Sequence, residues 1–216
     1  MITFSYTSEH SLLVLLPPPA ELSKQQRIWF MADSARHFTD VEEVVVGMNN
    51  FTIYYHIDTD ITALEKKLKQ LWQQSEQQQF QHQPRLIEIP VHYGGEFGED
   101  LFTVAQFHQT TTKEIIHRHT SSTYTVFMMG FQPGFPYLGG LPENLHTPRR
   151  SQPRTKVPAG SVGIGGSQTG VYPFTSPGGW QLIGRTEMPL FDIQQTPPVL
   201  LQAGDNVRFI AESIQL

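Results

Sequence analysis

Four short segments in the first 60 residues have the apolar pattern of β-strands. The first alternates between polar and apolar side chains, and the second is a short apolar run closed by three prolines, Pro17–Pro19. Alternation is typical of a half-buried strand, and a short apolar run is typical of a buried one. The last two segments flank a turn at residues 47–50, which predicts a β-hairpin. The four predicted strands are residues 2–7, 12–16, 41–46 and 51–56.

Two other segments carry apolar residues at the spacing of an α-helix. The first has Ile28, Met31, Ala32 and Ala35, and the second has Leu64, Leu68, Leu71 and Trp72. A capping-box sequence at each segment, Ser23–Gln26 or Thr62–Glu65, predicts where the helix begins. Strands and helices together predict a small α+β domain with its helices on one face of a sheet.

A glutamine-rich segment, residues 73–83, ends at Pro84 and marks a change in the pattern. We therefore expect two domains, a small α+β domain at residues 1–85 and a second domain at residues 86–216.

The second domain is predicted to contain more strands than helices. Helices are expected at residues 101–107 and from Thr111, where Glu114 has capping-box spacing. The predicted strands are residues 86–93, 124–129, 160–164, 180–185, 199–202 and 206–210. Many short strands separated by Gly and Pro predict a barrel or a closed sheet.

Composition and charge exclude several classes of protein. The 216 residues carry a net charge of −5, whereas a general nucleic-acid-binding protein usually has a basic excess. The absence of cysteine excludes disulfides, thiolate catalysis and cysteine-based zinc sites. The apolar run near the N-terminus is too short for a membrane span and lacks the flanks of a signal peptide. We therefore expect a cytoplasmic protein that binds neither nucleic acid nor membrane.

Residues 144–186 contain no Asp or Glu, although the chain as a whole is acidic. Eight of the 17 glycines also lie in this basic stretch. Glycines let backbone amides approach a ligand closely, and arginines bind carboxylate or phosphate through a planar fork. We expect these guanidinium groups to lack counter-charges and to face a shared cavity, which would be an anion-binding pocket or a subunit interface. The five cations are Arg149, Arg150, Arg154, Lys156 and Arg185.

Aromatic residues alternate with Gly and Pro over residues 130–142, so this segment cannot form a regular helix. It can hold rings rigidly at the rim of a pocket, and Trp180 supplies a flat wall. The alternative is a loop-rich fold whose arginines lie on the surface. The predicted substrate- or anion-binding residues are Arg149, Arg150, Arg154, Gln168, Thr169 and Tyr172. The predicted pocket walls or partner contacts are Phe131, Phe135, Tyr137, Trp180 and Arg185.

Three glycine-containing motifs each fail at a required residue. Residues 163–168 begin like a dinucleotide fingerprint, but Gln168 stands in place of its last glycine. Residues 165–170 have the spacing of a phosphate loop, but Val171 replaces its lysine. Ser161 lies in a near match to a hydrolase nucleophile elbow whose first glycine is replaced by alanine. A serine that lines a loop is therefore the better interpretation of Ser161.

The histidines give two further hypotheses. His117 and His119 are two residues apart on a predicted helix, so they point in different directions, and no carboxylate cluster completes a metal site. The sequence therefore predicts no metal site. His92 leaves a predicted strand into a glycine turn beside Glu96, which would suit a general base in catalysis. A structural histidine is the alternative for His92.

Eight ordered motifs carry a family resemblance. They are IPVHYGGEFG at residues 89–98, GFQPGFPYLGGLP at 130–142, TPRR at 147–150, PR at 153–154, VPAGSVGI at 157–164, QTGVYP at 168–173, SPGGW at 176–180 and IGRT at 183–186. They resemble the family of the 5-oxoprolinase B subunit, also called allophanate hydrolase subunit 1, which includes the sporulation-kinase inhibitor KipI. The resemblance covers the second domain densely and the first by length and order of elements.

The resemblance implies a small α+β N-terminal domain followed by a mainly β, cyclophilin-like barrel. It also implies a cytoplasmic hetero-oligomer in which the B subunit works with the A and C subunits of 5-oxoprolinase, the C subunit being a KipA-like protein that is itself cyclophilin-like. Together the three proteins would hydrolyse the cyclic amide of 5-oxoproline, a small carboxylate, to glutamate. ATP would be used through the complex. A fold similar to that of a peptidyl-prolyl isomerase does not imply isomerase activity.

Two other functions are consistent with the same residues. The resemblance to KipI allows a binding module that inhibits a sensor histidine kinase. The aromatic residues of the basic stretch also allow a stand-alone protein that binds a carbohydrate or an amino acid.

Overall fold

The structure, a computed structural model, describes residues 2–76 and 84–216. The chain forms two compact units, which divide between residues 83 and 84. Most of the predicted glutamine-rich boundary lies outside the described residues, and its first residues end a helix. None of the helices in the described ranges combines the length and apolar character that a membrane span requires.

The first unit contains an antiparallel sheet and two helices. Its elements are β1 (Thr3–Ser8), β2 (Ser11–Leu15), α1 (Leu22–Ala35), β3 (Val41–Gly47), β4 (Asn50–Tyr55) and α2 (Ile61–Gln74). The strands follow the order β1–β2–β4–β3. Alternate residues of β4, Phe51 and Ile53, are fully buried in one apolar core with Ile28 of α1 and Leu64 of α2. The period-2 pattern of the strand and the helical stripes therefore meet in this core.

Both helices of this unit begin before the predicted capping boxes. The N-cap of α1 is Glu21, whose side chain makes no capping hydrogen bond. The N-cap of α2 is Asp60, whose Oδ1 accepts a hydrogen bond from Ala63 N at 3.0 Å. Asp is a stronger N-cap than Thr, so the helix starts upstream of Thr62. The predicted capping roles of Ser23 and Thr62 are therefore wrong.

The second unit is a closed barrel of seven strands with helices and a separate two-stranded sheet, β8 with β11. The strands of the barrel follow the order β10–β7–β6–β13–β5–β12–β9. The elements are β5 (Leu86–Gly94), α3 (Leu101–Phe107), α4 (Thr112–Ser121), β6 (Thr123–Met129), β7 (Pro136–Gly139), a 3₁₀ turn (Glu143–Leu145), β8 (Arg154–Val157), β9 (Ser161–Gly165), β10 (Gln168–Val171), β11 (Ser176–Gly178), β12 (Gln181–Arg185) and β13 (Asn206–Gln215).

The last strand closes the barrel. β13 pairs in parallel with β5 along its length and antiparallel with β6 at its start. Asp205, fully buried in the turn before β13, accepts hydrogen bonds from the Arg85 guanidinium and from Gln202 N. Since a buried carboxylate needs such partners, this ion pair joins the beginning of β5 to the beginning of β13.

The predicted elements of this unit are confirmed in part. Thr111 caps α4 as predicted, with its Oγ1 accepting from Glu114 N at 3.1 Å. The predicted strand at residues 199–202 is wrong, because Val199 forms only an isolated bridge with Phe191. Two prolines precede Val199, and proline has no N–H to donate to a ladder. Strands β7, β8, β10 and β11 escape prediction because three or four residues are too few to show alternation. Three of these strands, β7, β10 and β11, also contain Gly or Pro.

Candidate functional site

Aromatic side chains of the second unit form a cleft of about 270 Å³, which we call the aromatic cleft. Phe135, almost fully buried, is its central ring. Its ring centre lies 4.9 Å from that of Tyr137, 5.1 Å from that of Tyr172 and 5.6 Å from that of Trp180. The exposed ring of Phe131 stands edge-on to Phe135 at 5.4 Å. Five predicted wall or binding residues are thus brought together.

Glycines leave the room that these rings occupy. A Cβ at Gly165 would lie 2.5 Å from the Trp180 indole, and a Cβ at Gly178 would lie 2.6 Å from the Tyr172 hydroxyl. A turn at residues 132–135, closed by a backbone hydrogen bond of 3.0 Å, sets the approach of the chain to the cleft. The concentration of glycine in the basic stretch therefore serves close packing around the rings.

Arg149 is the cation of the aromatic cleft. Its guanidinium carbon lies 5.7 Å from the centre of the Trp180 ring, and it makes no ion pair with any residue that the structure describes. Burial raises the pKa of Tyr137 and of Tyr172, and the charge of Arg149 opposes that rise. Both phenols therefore remain protonated at neutral pH, where they can donate hydrogen bonds beside a positive charge.

The expectation that the arginines lack counter-charges is wrong for Arg150 and Arg154. Asp100 Oδ1 accepts from Arg150 Nη1 at 2.9 Å and from Arg154 Nη2 at 2.8 Å. Asp100 Oδ2 accepts from Leu182 N at 2.7 Å, and Glu99 pairs with Arg154 at 3.2 Å. The hydrogen bond to Asp100 raises the pKa of Arg154. The basic stretch has no acid of its own, but the fold brings Asp100 and Glu99 to it from outside.

A second cleft, of about 340 Å³, adjoins the first because Arg149 lines both. We call it the arginine cleft. Its wall is formed by residues 147–152, by Thr103 and Phe107 of α3 and by Gln181 of β12. Arg149 and Arg150 give this wall two guanidinium groups among neutral polar side chains. The arrangement can bind an anion, since each guanidinium offers a planar set of N–H donors.

Comparison with known proteins identifies the family of this chain. Residues 2–201 match the family model of the carboxyltransferase domain, subdomain C and D. The chain is 57% identical to the 5-oxoprolinase B subunit from Haemophilus influenzae, with 97% of each chain covered. It is 48% identical to the 5-oxoprolinase B subunit from Escherichia coli O157:H7, with 94% of this chain and 93% of that one covered. The chain belongs to the family of 5-oxoprolinase B subunits.

A solved structure shares the fold. Urea amidolyase from Kluyveromyces lactis superposes with a TM-score of 0.81 at 20% identity, over 98% of this chain and 15% of that much longer one. At this identity the likeness concerns the fold alone.

In this member of the 5-oxoprolinase B-subunit family, Thr169 lies inside the barrel. It is fully buried, its Oγ1 donates to Gly163 O, and it accepts from His119 Nε2, both at 3.0 Å. His119 Nδ1 accepts from the Tyr93 hydroxyl at 2.7 Å. Burial lowers the pKa of His119 to about 3, so the neutral ring links α4 to β5 and β10. Gln168 is partly exposed at the start of β10, and neither it nor Thr169 lines the two clefts.

His92 and Arg185 are brought together on neighbouring strands, β5 and β12. His92 Nδ1 lies 2.7 Å from Ser213 Oγ, and His92 Nε2 lies 3.4 Å from the Glu212 carboxylate. Arg185 donates to Glu96 O at 3.2 Å. Neither His92 nor Arg185 lines the aromatic cleft or the arginine cleft.

Sequence reasoning missed three residues in or next to the arginine cleft. Asp100 precedes the basic stretch, and its signal is the acidic pair Glu99–Asp100 immediately before the predicted helix at 101–107. Phe107 and Gln181 carry no signal, because a lone Phe at a helix end and a lone Gln in a strand are ordinary residues. Within the described ranges, no group of three or more His, Asp or Glu lies close enough to hold a metal ion.

Proposed function

We propose that this chain is the B subunit of an ATP-dependent 5-oxoprolinase and that, with the A and C subunits, it hydrolyses 5-oxoproline to glutamate. The two bacterial relatives carry the B-subunit name at 57% and 48% identity. Their names favour the enzyme over a kinase inhibitor or a stand-alone binding protein. Within the structure, the proposal depends on the aromatic cleft, in which five rings share one cavity with Arg149.

The chemistry of the aromatic cleft suits 5-oxoproline, a five-membered lactam with one carboxylate. The flat ring would pack against aromatic faces, and the carboxylate would pair with Arg149. The protonated hydroxyls of Tyr137 and Tyr172 would donate to the lactam carbonyl. Hydrogen bonds to that oxygen stabilise the charge that develops on it when the amide carbon is attacked.

Arg150 and Arg154 have other roles in this proposal. Asp100 holds both, and only 15% of the Arg154 side chain is exposed, so Arg154 supports the wall of the site. Arg150 borders the arginine cleft and remains available to an anion there. Thr169 would support the barrel through His119, and His92 would have a structural role beside Ser213.

The remaining features of the proposal concern the complex. ATP would be used jointly with the A and C subunits, in the cytoplasm, where ATP is available. The barrel would be of the cyclophilin-like type, and the first unit would be a separate α+β domain. The closed barrel of seven strands and the division of the chain between residues 83 and 84 support these assignments.

Reconstitution of the three-protein complex tests the proposed function. Glutamate formed from 5-oxoproline and magnesium ATP is measured with and without this chain, and we expect it only when the chain is present. Arg149→Gln should raise the KM for 5-oxoproline about tenfold or more, because a hydrogen bond to a charged group contributes roughly 1.5–3 kcal/mol.

Lys156→Gln is the matched control, since Lys156 is an exposed cation of the same stretch that lines neither cleft. It should leave the KM within about twofold, as expected for an exposed surface charge. Full activity without this chain would reject the proposed function. Equal KM values for the two variants would reject only the placement of the substrate in the aromatic cleft.

A further inference from the structure

The arginine cleft has the properties of a second ligand site. We propose that it binds the polyphosphate of a nucleoside triphosphate, with the base stacked on Phe107. The inference rests on the proposed function, because that reaction consumes ATP. It assigns nucleotide binding to this chain, at a position next to the site for the lactam.

The charge of the arginine cleft favours a polyanion. The two carboxylates of Asp100 and Glu99 balance the two guanidinium groups of Arg150 and Arg154. Arg149, the other cation of the wall, has no acidic partner among the described residues. The wall therefore keeps a positive charge after its internal ion pairs are formed, and arginine matches phosphate oxygens in geometry as well as in charge.

Two buried polar atoms at this wall lack a hydrogen-bond partner within the described part of the chain. They are Arg150 Nε and Gln181 Oε1. Gln181 is only 9% exposed, and its Nε2 already donates to Pro148 O at 3.0 Å. Since buried polar groups in folded proteins are almost always paired, these two atoms indicate that a ligand completes the site. An N–H donor and a carbonyl acceptor suit a phosphate oxygen and a ribose hydroxyl.

The loop that carries the arginines is anchored on both sides. Arg150 N donates to Gly179 O at 2.7 Å, and Arg150 Nη1 donates to Asp100 at 2.9 Å. The hydrogen bond from Gln181 to Pro148 O holds the residue that directly precedes the two arginines. Donors that are positioned before the ligand arrives lose less conformational freedom on binding, which favours affinity.

Phe107 supplies a ring for the base. It stands at the end of α3 with 55% of its surface exposed, although it lines the same cleft as the arginines. Its neighbour His108 meets it nearly at a right angle, with ring centres 5.0 Å apart. His108 is itself held by the Thr147 hydroxyl at 3.1 Å. Stacking on an exposed aromatic ring is a common way of binding a nucleobase.

The position of Arg149 connects the two sites. It lines both clefts, so a nucleotide in the arginine cleft and a lactam in the aromatic cleft would both lie near its guanidinium. The cleft of about 340 Å³ is within the range of roughly 300–1,000 Å³ that small-molecule sites occupy. Arginines and neutral side chains would replace the phosphate loop that the sequence lacks.

A charge placed at Ser151 tests the inference. Ser151 is exposed, lines the cleft, and makes no side-chain hydrogen bond to a described residue. Ser151→Asp adds a negative charge, whereas Ser151→Asn adds a side chain of the same size without charge. Binding of magnesium ATP to the full chain is measured by calorimetry, and the KM for ATP is measured in the reconstituted complex. We expect Ser151→Asp to weaken one or both at least about tenfold relative to Ser151→Asn, because like charges repel.

Phe107→Leu tests the position of the base. It should weaken magnesium ATP several-fold and leave the binding of inorganic tripolyphosphate unchanged, because tripolyphosphate has no base to stack. Equal effects on both probes would overturn the placement of the base on Phe107.

The outcomes separate this inference from the proposed function. If the two Ser151 variants bind ATP equally and have the same KM for ATP, the inference is overturned, while the proposed function stands as long as the complex requires this chain. If Ser151→Asp changes only the KM for 5-oxoproline, or only the assembly with the C subunit, the cleft serves the substrate or the partner, and the inference is again overturned.

Discussion

Three arginines close together in the sequence have different surroundings in the fold. Arg149 is exposed above Trp180 and has no acidic partner among the described residues. Arg150 shares Asp100, and Arg154 is largely buried against the same carboxylate. A guanidinium held by two carboxylates, as in Arg154, stabilises the fold, whereas one with unpartnered N–H groups can bind an external anion. The neighbours of each arginine therefore decide its role.

His119 gives a prediction about pH. Its pKa is lowered to about 3 in the folded chain by burial, whereas an unfolded histidine titrates near 6.5. The unfolded state therefore binds a proton that the folded state does not, so the contribution of His119 is complete above pH 6.5 and is lost as the pH falls from 6.5 towards 3. We expect this residue alone to reduce the free energy of unfolding by about 1.4 kcal/mol per pH unit in that range. Urea unfolding at pH 7 and pH 4.5 measures the loss.

Substitution of His119 isolates its share of the pH dependence. Glutamine, like neutral histidine, can donate one hydrogen bond and accept another. His119→Gln should therefore lose distinctly less stability than the native chain between pH 7 and pH 4.5. His117→Gln, an exposed histidine of the same helix, should behave like the native chain. Identical pH dependence in all three proteins would show that His119 is not held neutral.

Asp100 connects three elements of the barrel unit. It stands at the start of α3, accepts from Leu182 N of β12 and binds Arg154 at the start of β8. Asp100 N also donates to Leu182 O at 2.9 Å, so the carboxylate adds to a backbone hydrogen bond between α3 and β12 and extends the link to β8. The loop that contains Arg150 and the strand β12 therefore depend on Asp100 for their position.

Asp100→Asn should lower the free energy of unfolding by about 3 kcal/mol, because removal of one member of a buried ion pair leaves its partners uncompensated. Glu99→Gln is the matched control. Glu99 also pairs with Arg154 but is 55% exposed, so its loss should cost at most about 1 kcal/mol. Chemical denaturation of the two variants measures the difference. Similar values for both would mean that Asp100 is not the structural link.

The whole chain contains separate apolar cores in its two compact units. One core is built from the strands and helices of the first unit, and the other fills the barrel. Because the strands that close the barrel all lie after residue 84, each unit has the hydrogen bonds and the buried surface that it needs. The two units also differ in fold, because one is an open sheet with helices and the other is a closed barrel.

We expect residues 84–216, expressed alone, to fold cooperatively. The near-ultraviolet circular dichroism of its buried aromatic rings and a single unfolding transition would demonstrate this. The Arg85–Asp205 ion pair must be retained, so a shorter fragment that begins at residue 87 should be less stable. A fragment of residues 84–216 without fixed aromatic signals would show that the barrel requires the first unit.

Local patterns were sufficient for the elements that have a long regular period. The helical stripes, the hairpin and the strands at 86–93 and 124–129 are present because a face that must be buried leaves a repeating trace in the sequence. The aromatic wall could also be predicted, since rings alternating with Gly and Pro have few other uses. Strands of three or four residues are too short to leave such a trace. The sequence pattern also did not decide between Asp60 and Thr62 as the N-cap of α2.

The order of residues along the chain was enough to locate a basic, glycine-rich stretch, to predict aromatic walls and, through the ordered motifs, to indicate the family. It did not specify which arginine would be neutralised, because the acid that does so, Asp100, lies some fifty residues away in the sequence from Arg150 and Arg154. The burial of Thr169 beside His119 likewise follows from the closure of the barrel. Charge and polarity are properties of single residues, whereas pairing and burial depend on residues that meet only after folding.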